Sequence, residues 1–419
     1  MHFFSFKNDE LHCEELSVRK IAAELATPFY LYSQKTIVSN FERIERAFHG
    51  LDHLICYALK ANSNATLLAL LAARGAGADV VSRGELFLAL KSGVHPQKIV
   101  YAGVGKRDDE IEYALAQNIL AFNVESLEEL AVINGIAKEA NQIAPVAIRV
   151  NPNIDIHGHP YISTGKGADK FGIALPAARA LIRDFEKYPN LRLVGLHSHI
   201  GSQINEVSPY VEAVKILKEL AAEARRVGGA LQYVDIGGGL GVSDKNIFEN
   251  ENAAAADKPI TVERLVEHLR PDFQSLGCKI IFEPGRALAA EAGILVTRVL
   301  YQKESHGKRF VIVDAGMNDL IRPSLYGAYH EIVPVCKRRG ELVNVDVVGP
   351  ICESGDFLGR DRRLPELRRG DLLAIMTAGA YGFVLSSNYN ARPRPAEVLV
   401  EGAQSQVIRP AGDLEKLWS

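Results

Sequence analysis

The chain predicts an α/β fold: a (β/α)8 barrel joined to a C-terminal antiparallel β-sandwich or β-barrel domain. Three observations carry this. Eight short β-rich runs recur along the first two thirds of the 419 residues, helical apolar spacing fills the stretches between them, and after Arg286 the helical spacing stops while strand-like runs continue. The eight runs are 54–59, 78–81, 99–101, 121–124, 146–150, 193–196, 233–236 and 279–282. Between them, 65–74, 84–91, 108–117, 126–140, 176–185, 210–226 and 262–276 place apolar residues at helical spacing. Strand, helix, strand alternation implies a parallel sheet, and eight such strands are the count that closes a barrel. The later runs, 293–300, 309–313, 341–348, 371–376 and 397–401, are separated mostly by Gly, Pro and polar turns, which implies antiparallel pairing. Residues 30–288 are therefore expected to form the barrel. The stretch before Phe29 does not fit the barrel rhythm, so 1–29 is grouped with 289–419 in the β domain. Residues 253–256 lie in a polar insertion expected to be a surface excursion.

Composition sets the frame. With 47% hydrophobic residues the chain can bury a sizeable core, and its length suits two domains because single cores seldom grow past ~250–300 residues. A formal net charge of −3, spread along the chain, offers no basic stripe for nucleic acid. The clusters 337–339 and 360–369 read as solvated loops. No apolar run reaches the ~18 residues a membrane helix needs, and the start does not resemble a signal peptide. Five widely spaced cysteines without metal spacing fit reduced thiols, so a cytoplasmic protein without nucleic-acid or membrane partners is expected.

In a (β/α)8 barrel the chemistry sits at the C-terminal ends of the strands. The first run, Leu54-Ile55-Cys56-Tyr57-Ala58-Leu59-Lys60, ends on a lysine at the rim of a core. Lost hydration there favours the neutral amine that attacks an aldehyde to form a Schiff base. The same position also suits a lysine reaching water from a strand end. Ser82-Arg83 follow the second run, Arg149 ends the fifth, His197 to Ser202 follow the sixth, Gly237 to Gly241 the seventh, and Glu283 to Arg286 the eighth. Glycines after strands seven and eight let backbone amides approach a phosphate, and Ser202 adds a hydroxyl. Taken alone, the glycine run is equally a tight turn. His197 and His199, two apart on a strand, share a side, but no carboxylate lies beside them in sequence and no metal is expected. His199 is placed to lie flat against an aromatic ring, and His197 to be a hydrogen-bonded core residue. Glu283 makes sense at a strand end if its charge meets a partner, and a carboxylate facing a pyridine nitrogen keeps that nitrogen protonated. Together these features describe a pyridoxal phosphate site.

Tyr57-Ala58-Leu59-Lys60-Ala61-Asn62, His199-Ile200-Gly201-Ser202, Gly237 to Gly241, Glu283-Pro284-Gly285-Arg286 and Cys352-Glu353-Ser354-Gly355-Asp356 resemble, in order, the motifs of the barrel-type pyridoxal phosphate decarboxylases of alanine-racemase fold, fold type III. The likeness spans almost the whole chain. Tyr161-Ile162-Ser163-Thr164-Gly165, Lys170-Phe171-Gly172, Asp314-Ala315-Gly316-Met317-Asn318 and Arg322-Pro323-Ser324-Leu325-Tyr326-Gly327 make it most similar to the diaminopimelate decarboxylases. The resemblance implies Lys60 as the Schiff-base lysine, with Ser202, Gly238, Gly239, Glu283, Pro284, Gly285 and Arg286 as cofactor contacts beside His199. It implies Arg286, Arg322 and Tyr326 as substrate-binding groups, Cys352 as the proton donor and Glu353 as a substrate contact. Tyr381 is implied to touch both substrate and cofactor. It also implies a homodimer with shared active sites, the Cys352–Glu353 loop of one subunit entering the site of the other.

The implied reaction is decarboxylation of meso-2,6-diaminopimelate to L-lysine and CO2, the last step of lysine biosynthesis. A thiol of pKa ~8.5 is mostly protonated at neutral pH, which suits Cys352 to give a proton. Its place in a polar loop argues against a buried structural cysteine. The substrate presents a second carboxylate, which guanidiniums of Arg286 and Arg322 bind bidentately, and a second ammonium for Glu353. Rival readings are a decarboxylase of carboxynorspermidine, ornithine or arginine, an alanine racemase, which is not expected to carry the Cys-Glu-Ser-Gly-Asp loop, and a non-catalytic regulatory homologue, against which Lys60 and Cys352 argue. The connection 151–172, long for a barrel, is expected to cover the site.

Overall fold

The computed structural model describes residues 2–154, 169–245, 248 and 259–416. They divide into two compact units, one drawn from 41–241 and 259–287, the other from 1–40, 242–258 and 288–419.

In the first unit, strands His53–Ala58, Gly77–Val80, Ile99–Tyr101, Ala121–Val124, Ala144–Asn151, Leu191–His197, Tyr233–Asp235 and Lys279–Phe282 pair in parallel, and the last pairs back onto the first. The barrel is closed. Helices Ala65–Ala72, Arg83–Lys91, Asp108–Ala116, Leu127–Glu139, Leu175–Arg183, Ser208–Arg226 and Val262–Leu276 fill the intervals. Two of these helices start on a serine three residues ahead of a glutamate. Ser82 and Ser126 accept hydrogen bonds from the amides of Glu85 and Glu129, whose carboxylates return to the amides of Val81 and Glu125. Such reciprocal bonds satisfy donors the helix leaves open and fix where the chain turns off each strand end.

The strands read as continuous apolar runs because both of their faces are buried. Leu54, Cys56, Val100, Ala121, Ala147, Val194, Tyr233 and Ile281 form one buried cluster. Gly195 belongs to it by necessity, since a methyl group there would overlap the Tyr233 ring. Gly195→Ala is therefore expected to cost about 1–3 kcal/mol through overpacking. The change should appear as a lower urea midpoint with an unchanged slope.

At the opening of the first strand, His53 Nε2 lies 3.2 Å from Glu45 Oε2. That hydrogen bond, working against burial, raises the imidazole above its ordinary pKa. A raised folded-state pKa gives stability that is complete below the unfolded value of ~6.5 and is lost as pH rises through the folded value. Glu45→Gln should thus lower the melting temperature more at about pH 5.5 than at about pH 9.

In the second unit, strand Gly293–Ser305 is the spine, pairing with Phe29–Ser33, Lys308–Val313 and Leu372–Ile375. Two pairs are parallel, Lys308–Val313 with Leu342–Val348 and Ala396–Glu401 with Phe29–Ser33, so the sheet is mixed rather than antiparallel throughout. Phe29, Leu31, Ile294, Val296, Val398 and Val400 pack in its core. Residues 30–33 accordingly belong to this sheet, although the change in sequence rhythm placed the barrel boundary ahead of them. The N-terminal strands Phe4–Lys7, Glu10–Cys13 and Leu16–Ser17 join the same unit. Buried Glu14 accepts hydrogen bonds from Ser33 Oγ at 2.8 Å, the Lys35 amide at 2.8 Å and the Gly402 amide at 2.6 Å.

The basic stretch 360–369 is not wholly a loop. Phe357–Pro365 is an edge strand, and exposed Arg360 and Arg363 charge that edge, a common guard against edge-to-edge association. The polar insertion at 253–256, the motif at 161–165 and most of the connection 151–172 lie outside the described residues. Among the described residues no helix is long and apolar enough to cross a membrane.

Candidate active site

Lys60 sits in the single 3-10 turn Leu59–Ala61 directly after the first barrel strand, not on the strand itself. Local bonds pin the turn. Tyr57 Oη donates to the Asn62 carbonyl at 2.9 Å, Asn62 Oδ1 accepts from the Asn64 amide at 3.0 Å, and Asn64 caps the next helix through the Thr66 amide at 3.0 Å. The lysine is not left against apolar groups as its strand-end position suggested. Its side chain is 36% exposed and Nζ donates to Asp79 Oδ2 at 2.6 Å. Asp79 is fully buried in the second strand; burial and the Glu283 charge raise its pKa, while Lys60 pulls it back.

Glu283 follows the eighth strand and is buried, its Oε2 3.3 Å from His197 Nε2 and its Oε1 3.5 Å from Asn123 Nδ2. Burial opposes its ionisation, yet His197 and then Lys60 outweigh burial and hold the carboxyl below the usual carboxylate range. Asp235, two residues before the glycine run, shows the opposite: burial and the Glu283 charge push its carboxyl well above that range. Two carboxyls whose pKa values are pushed in opposite directions thus share the pocket around His197. The expectation that no carboxylate accompanies these histidines fails here, because the fold returns strands seven and eight to strand six. Donor atoms of His197, Asp235 and Glu283 lie within 4.8 Å of one another, close enough in principle for a metal ion.

The glycine run is stitched to its neighbours. The Gly237 amide donates to Asp235 Oδ1 at 2.9 Å and the Gly238 amide to His199 Nδ1 at 3.0 Å, while the Gly237 carbonyl accepts from the Glu283 amide at 2.8 Å and the Gly239 carbonyl from the Ile204 amide at 2.9 Å. A side chain at Gly238 would strike the Glu283 carbonyl, and one at Gly239, whose φ is +96°, the Gly201 carbonyl. Glycine is required there because three loops close on one another. The amides of Ser202 and Gly239 make no hydrogen bond among the described residues, which leaves them open to an anion. Burial first, then Lys60 and Arg149, hold His199 well below the usual imidazole range, so its ring is neutral at pH 7. Pro284 accepts from the Ala58 amide at 3.2 Å, Gly285 fits against Ala58 and Ala61, and buried Arg286 opens the helix Arg286–Ala289. An amine, two open amides, a neutral imidazole and a buried carboxylate kept anionic are the groups that pyridoxal phosphate requires of a protein. Arg149 is taken up by Glu125, whose Oε1 lies 2.5 Å from its Nη1.

The second unit holds the remaining residues singled out in the sequence. Arg322 is buried at the start of helix Arg322–Tyr326, its Nη1 3.0 Å from His330 Nε2, and His330 Nδ1 donates to the Met376 carbonyl at 2.8 Å. Tyr326 closes the same helix before Gly327 in left-handed conformation. Ser324 Oγ donates to the Gly355 carbonyl at 2.5 Å, tying this helix to the loop of Cys352. Asp356 shapes that loop, accepting from the amides of Met317 and Ile351 at 2.6 Å each. Cys352 is exposed, and Glu353 Oε2 accepts from Tyr389 Oη at 2.7 Å. Tyr381 has φ +56°, an outlier for a bulky residue of the kind that clusters at functional sites.

Asp79, Asp235, His330 and Tyr389 were not singled out from the sequence. A signal existed for the first two, since an aspartate inside an apolar strand run such as 78–81 or 233–236 needs a partner once the strand is buried. Nothing local marks His330 or Tyr389.

Comparisons with known proteins agree with this geometry. Residues 34–290 match the family described as pyridoxal-dependent decarboxylase, pyridoxal binding domain. The chain is 47% identical over 407 residues to a diaminopimelate decarboxylase of Aquifex aeolicus, covering 97% of this chain and 94% of that protein. It is 42% identical over 420 residues to one of Vibrio cholerae, covering 100% and 98%. The crystal structure of the Helicobacter pylori diaminopimelate decarboxylase complexed with L-lysine superposes with a TM-score of 0.90 at 44% identity, covering 96% of this chain and 98% of that one. A barrel whose strand ends carry Lys60, the open amides and an anionic Glu283, and whose likeness to these enzymes runs the full length of both chains, belongs to the diaminopimelate decarboxylase family of pyridoxal-dependent decarboxylases.

Proposed function

We propose that this chain decarboxylates meso-2,6-diaminopimelate to L-lysine and CO2 in the cytoplasm, using pyridoxal 5'-phosphate. The observation that carries this reading is the buried Glu283, kept anionic by His197 beside the Lys60 turn, in a chain similar over its full length to diaminopimelate decarboxylases. Lys60 would hold the cofactor covalently, Ser202, Gly238, Gly239 and Gly285 its phosphate, Glu283 its ring nitrogen and His199 its ring face, with Pro284, Arg286 and Tyr381 completing the contacts. When bound, the cofactor supplies a protonated ring that takes up the electron pair left by CO2.

The side chains of the second unit fit the rest of the substrate. Because His330 Nδ1 donates to a carbonyl, its Nε2 accepts from Arg322, and the guanidinium is fixed while keeping donors for a carboxylate. Arg322, with Arg286 and Tyr326, is assigned to the carboxylate of the far amino-acid centre. Glu353, oriented by Tyr389, is assigned to its ammonium. The Cys352 thiol is assigned the proton that reaches the α-carbon. We assign the active form to a homodimer in which the Cys352–Glu353 loop of each chain completes the site of the other.

Substrate choice is tested by CO2 release from meso-diaminopimelate, ornithine, arginine and carboxynorspermidine. Release from diaminopimelate at least about 100-fold faster in kcat/KM is expected, because the alternatives leave the fixed guanidinium unpaired or mispaired. Arg322→Met should remove most of that preference. Equal or faster release from another substrate would replace this assignment.

A further inference from the structure

The second unit contains a cavity of about 450 Å³, within the range that holds small ligands. Its walls come from four segments distant in sequence and bring together Arg19, Arg298, Arg338, Cys336 and Asp371. Three guanidiniums thus face one carboxylate. That carboxylate is already engaged, with Oδ1 on Arg338 and Oδ2 accepting from the Arg368 amide at 2.6 Å. Arg298 is held by two backbone carbonyls, Nη1 to Gly370 and Nη2 to Ala22, each at 3.3 Å. Neither Arg298 nor Arg19 meets a carboxylate within ion-pair distance among the described residues. Exposed Lys337, Arg339, Arg368 and Arg369 adjoin these walls in sequence. Of the basic clusters 337–339 and 360–369, which read as solvated loops in the sequence, the first supplies Arg338 to this wall, and the second ends one residue before Gly370, in a chain whose net charge is negative.

A fixed guanidinium bound only to neutral carbonyls, beside a second without an acid, is arranged for an oxyanion that supplies the missing charge. We propose that this cavity is a binding site for a small polyanion bearing two or more phosphate or carboxylate groups. The barrel motifs and the reaction above make no use of it. Three guanidiniums and one carboxylate on the walls leave two net positive charges for the ligand to match, and a cavity of about 450 Å³ is the size of a small molecule, not of a folded macromolecule. Cys336 lies within hydrogen-bonding reach of Arg19, and its thiol, raised in pKa by burial, stays protonated and adds no negative charge.

The test uses the full-length protein loaded with pyridoxal phosphate, so that the phosphate site in the barrel is filled. Pyrophosphate and citrate are titrated by calorimetry at low ionic strength into wild type, Arg298→Gln and Arg19→Gln. Saturable binding of at least one probe, one per chain, weakened about tenfold or more by each substitution with unchanged basal decarboxylation, is the expected result. Binding of pyrophosphate alone would assign phosphate ligands, and of citrate alone carboxylate ligands. Should Arg298→Gln fail to fold, exposed Arg19 on its helix gives the same reading. Absence of saturable binding by both probes in the millimolar range, or binding that neither substitution weakens, overturns the proposal.

Discussion

Lys60→Ala is expected to lower kcat by roughly 10³-fold or more, the scale on which an acid–base or covalent participant contributes. The protein should also lose the visible absorption band that pyridoxal phosphate gains on a lysine. Lys60 stands on a turn fixed by Tyr57, Asn62 and Asn64, with its amine delivered at 2.6 Å to a carboxylate that strand two buries completely. A second consequence separates the catalytic from the structural part of the loss. Without Lys60 the Asp79 carboxylate keeps its burial and the neighbouring Glu283 but loses the cation that opposes them. Its pKa should rise further. A carboxyl with a raised folded-state pKa costs stability as pH climbs past its unfolded value of ~3.9, so the variant should melt progressively below wild type toward neutral pH. Asp79→Asn in the same background should restore the melting temperature without restoring turnover. Recovery of turnover would mean that Lys60 serves only to balance charge.

The second large effect concerns the Cys352 loop. Cys352→Ala alone should reduce turnover by roughly 10²–10⁴-fold, the usual contribution of a positioned proton donor. Mixed in equal amounts with Lys60→Ala under conditions that let subunits exchange, it should regain about 25% of wild-type activity. Random exchange makes half of the dimers mixed, and each mixed dimer has one of its two sites built from intact Lys60 and intact Cys352. The loop is suited to work across a boundary. Asp356 ties its base to the amides of Met317 and Ile351, Ser324 clamps Gly355, and Cys352 and Glu353 are left facing outward. No recovery on mixing would place both residues in the site of their own chain.

Much of this was legible before the structure because the relevant patterns are local. Strands buried on both faces announce themselves as apolar runs, helices by spacing and serine caps, and the barrel by their alternation. The residues at the strand ends then followed from the architecture. What the sequence hid is pairing. Asp79 finds Lys60 across two adjacent strands, and Glu283 after strand eight finds His197 on strand six across the intervening strand seven. His330 supports Arg322 from beyond the end of its helix, and Tyr389 reaches Glu353 from 36 residues away. The stretch 360–369 was read as a basic loop because the edge strand Phe357–Pro365, with charged residues on its exposed side, lacks the apolar run that marks a central one. Residues 30–33 were placed on the barrel side of the boundary, yet the register of Phe29–Ser33 is set by Gly293–Ser305 and Ala396–Glu401, which lie more than half the chain away.

The central claim, that Lys60 is the covalent seat of the cofactor, is tested most directly by borohydride reduction of the pyridoxal-phosphate-loaded protein followed by peptide mass mapping. The cofactor mass should appear on the peptide containing Lys60 and nowhere else. Its appearance on another lysine, such as Lys106 with its ammonium enclosed by Gly103, Asn123 and Glu129, or its absence from every peptide, would contradict the account.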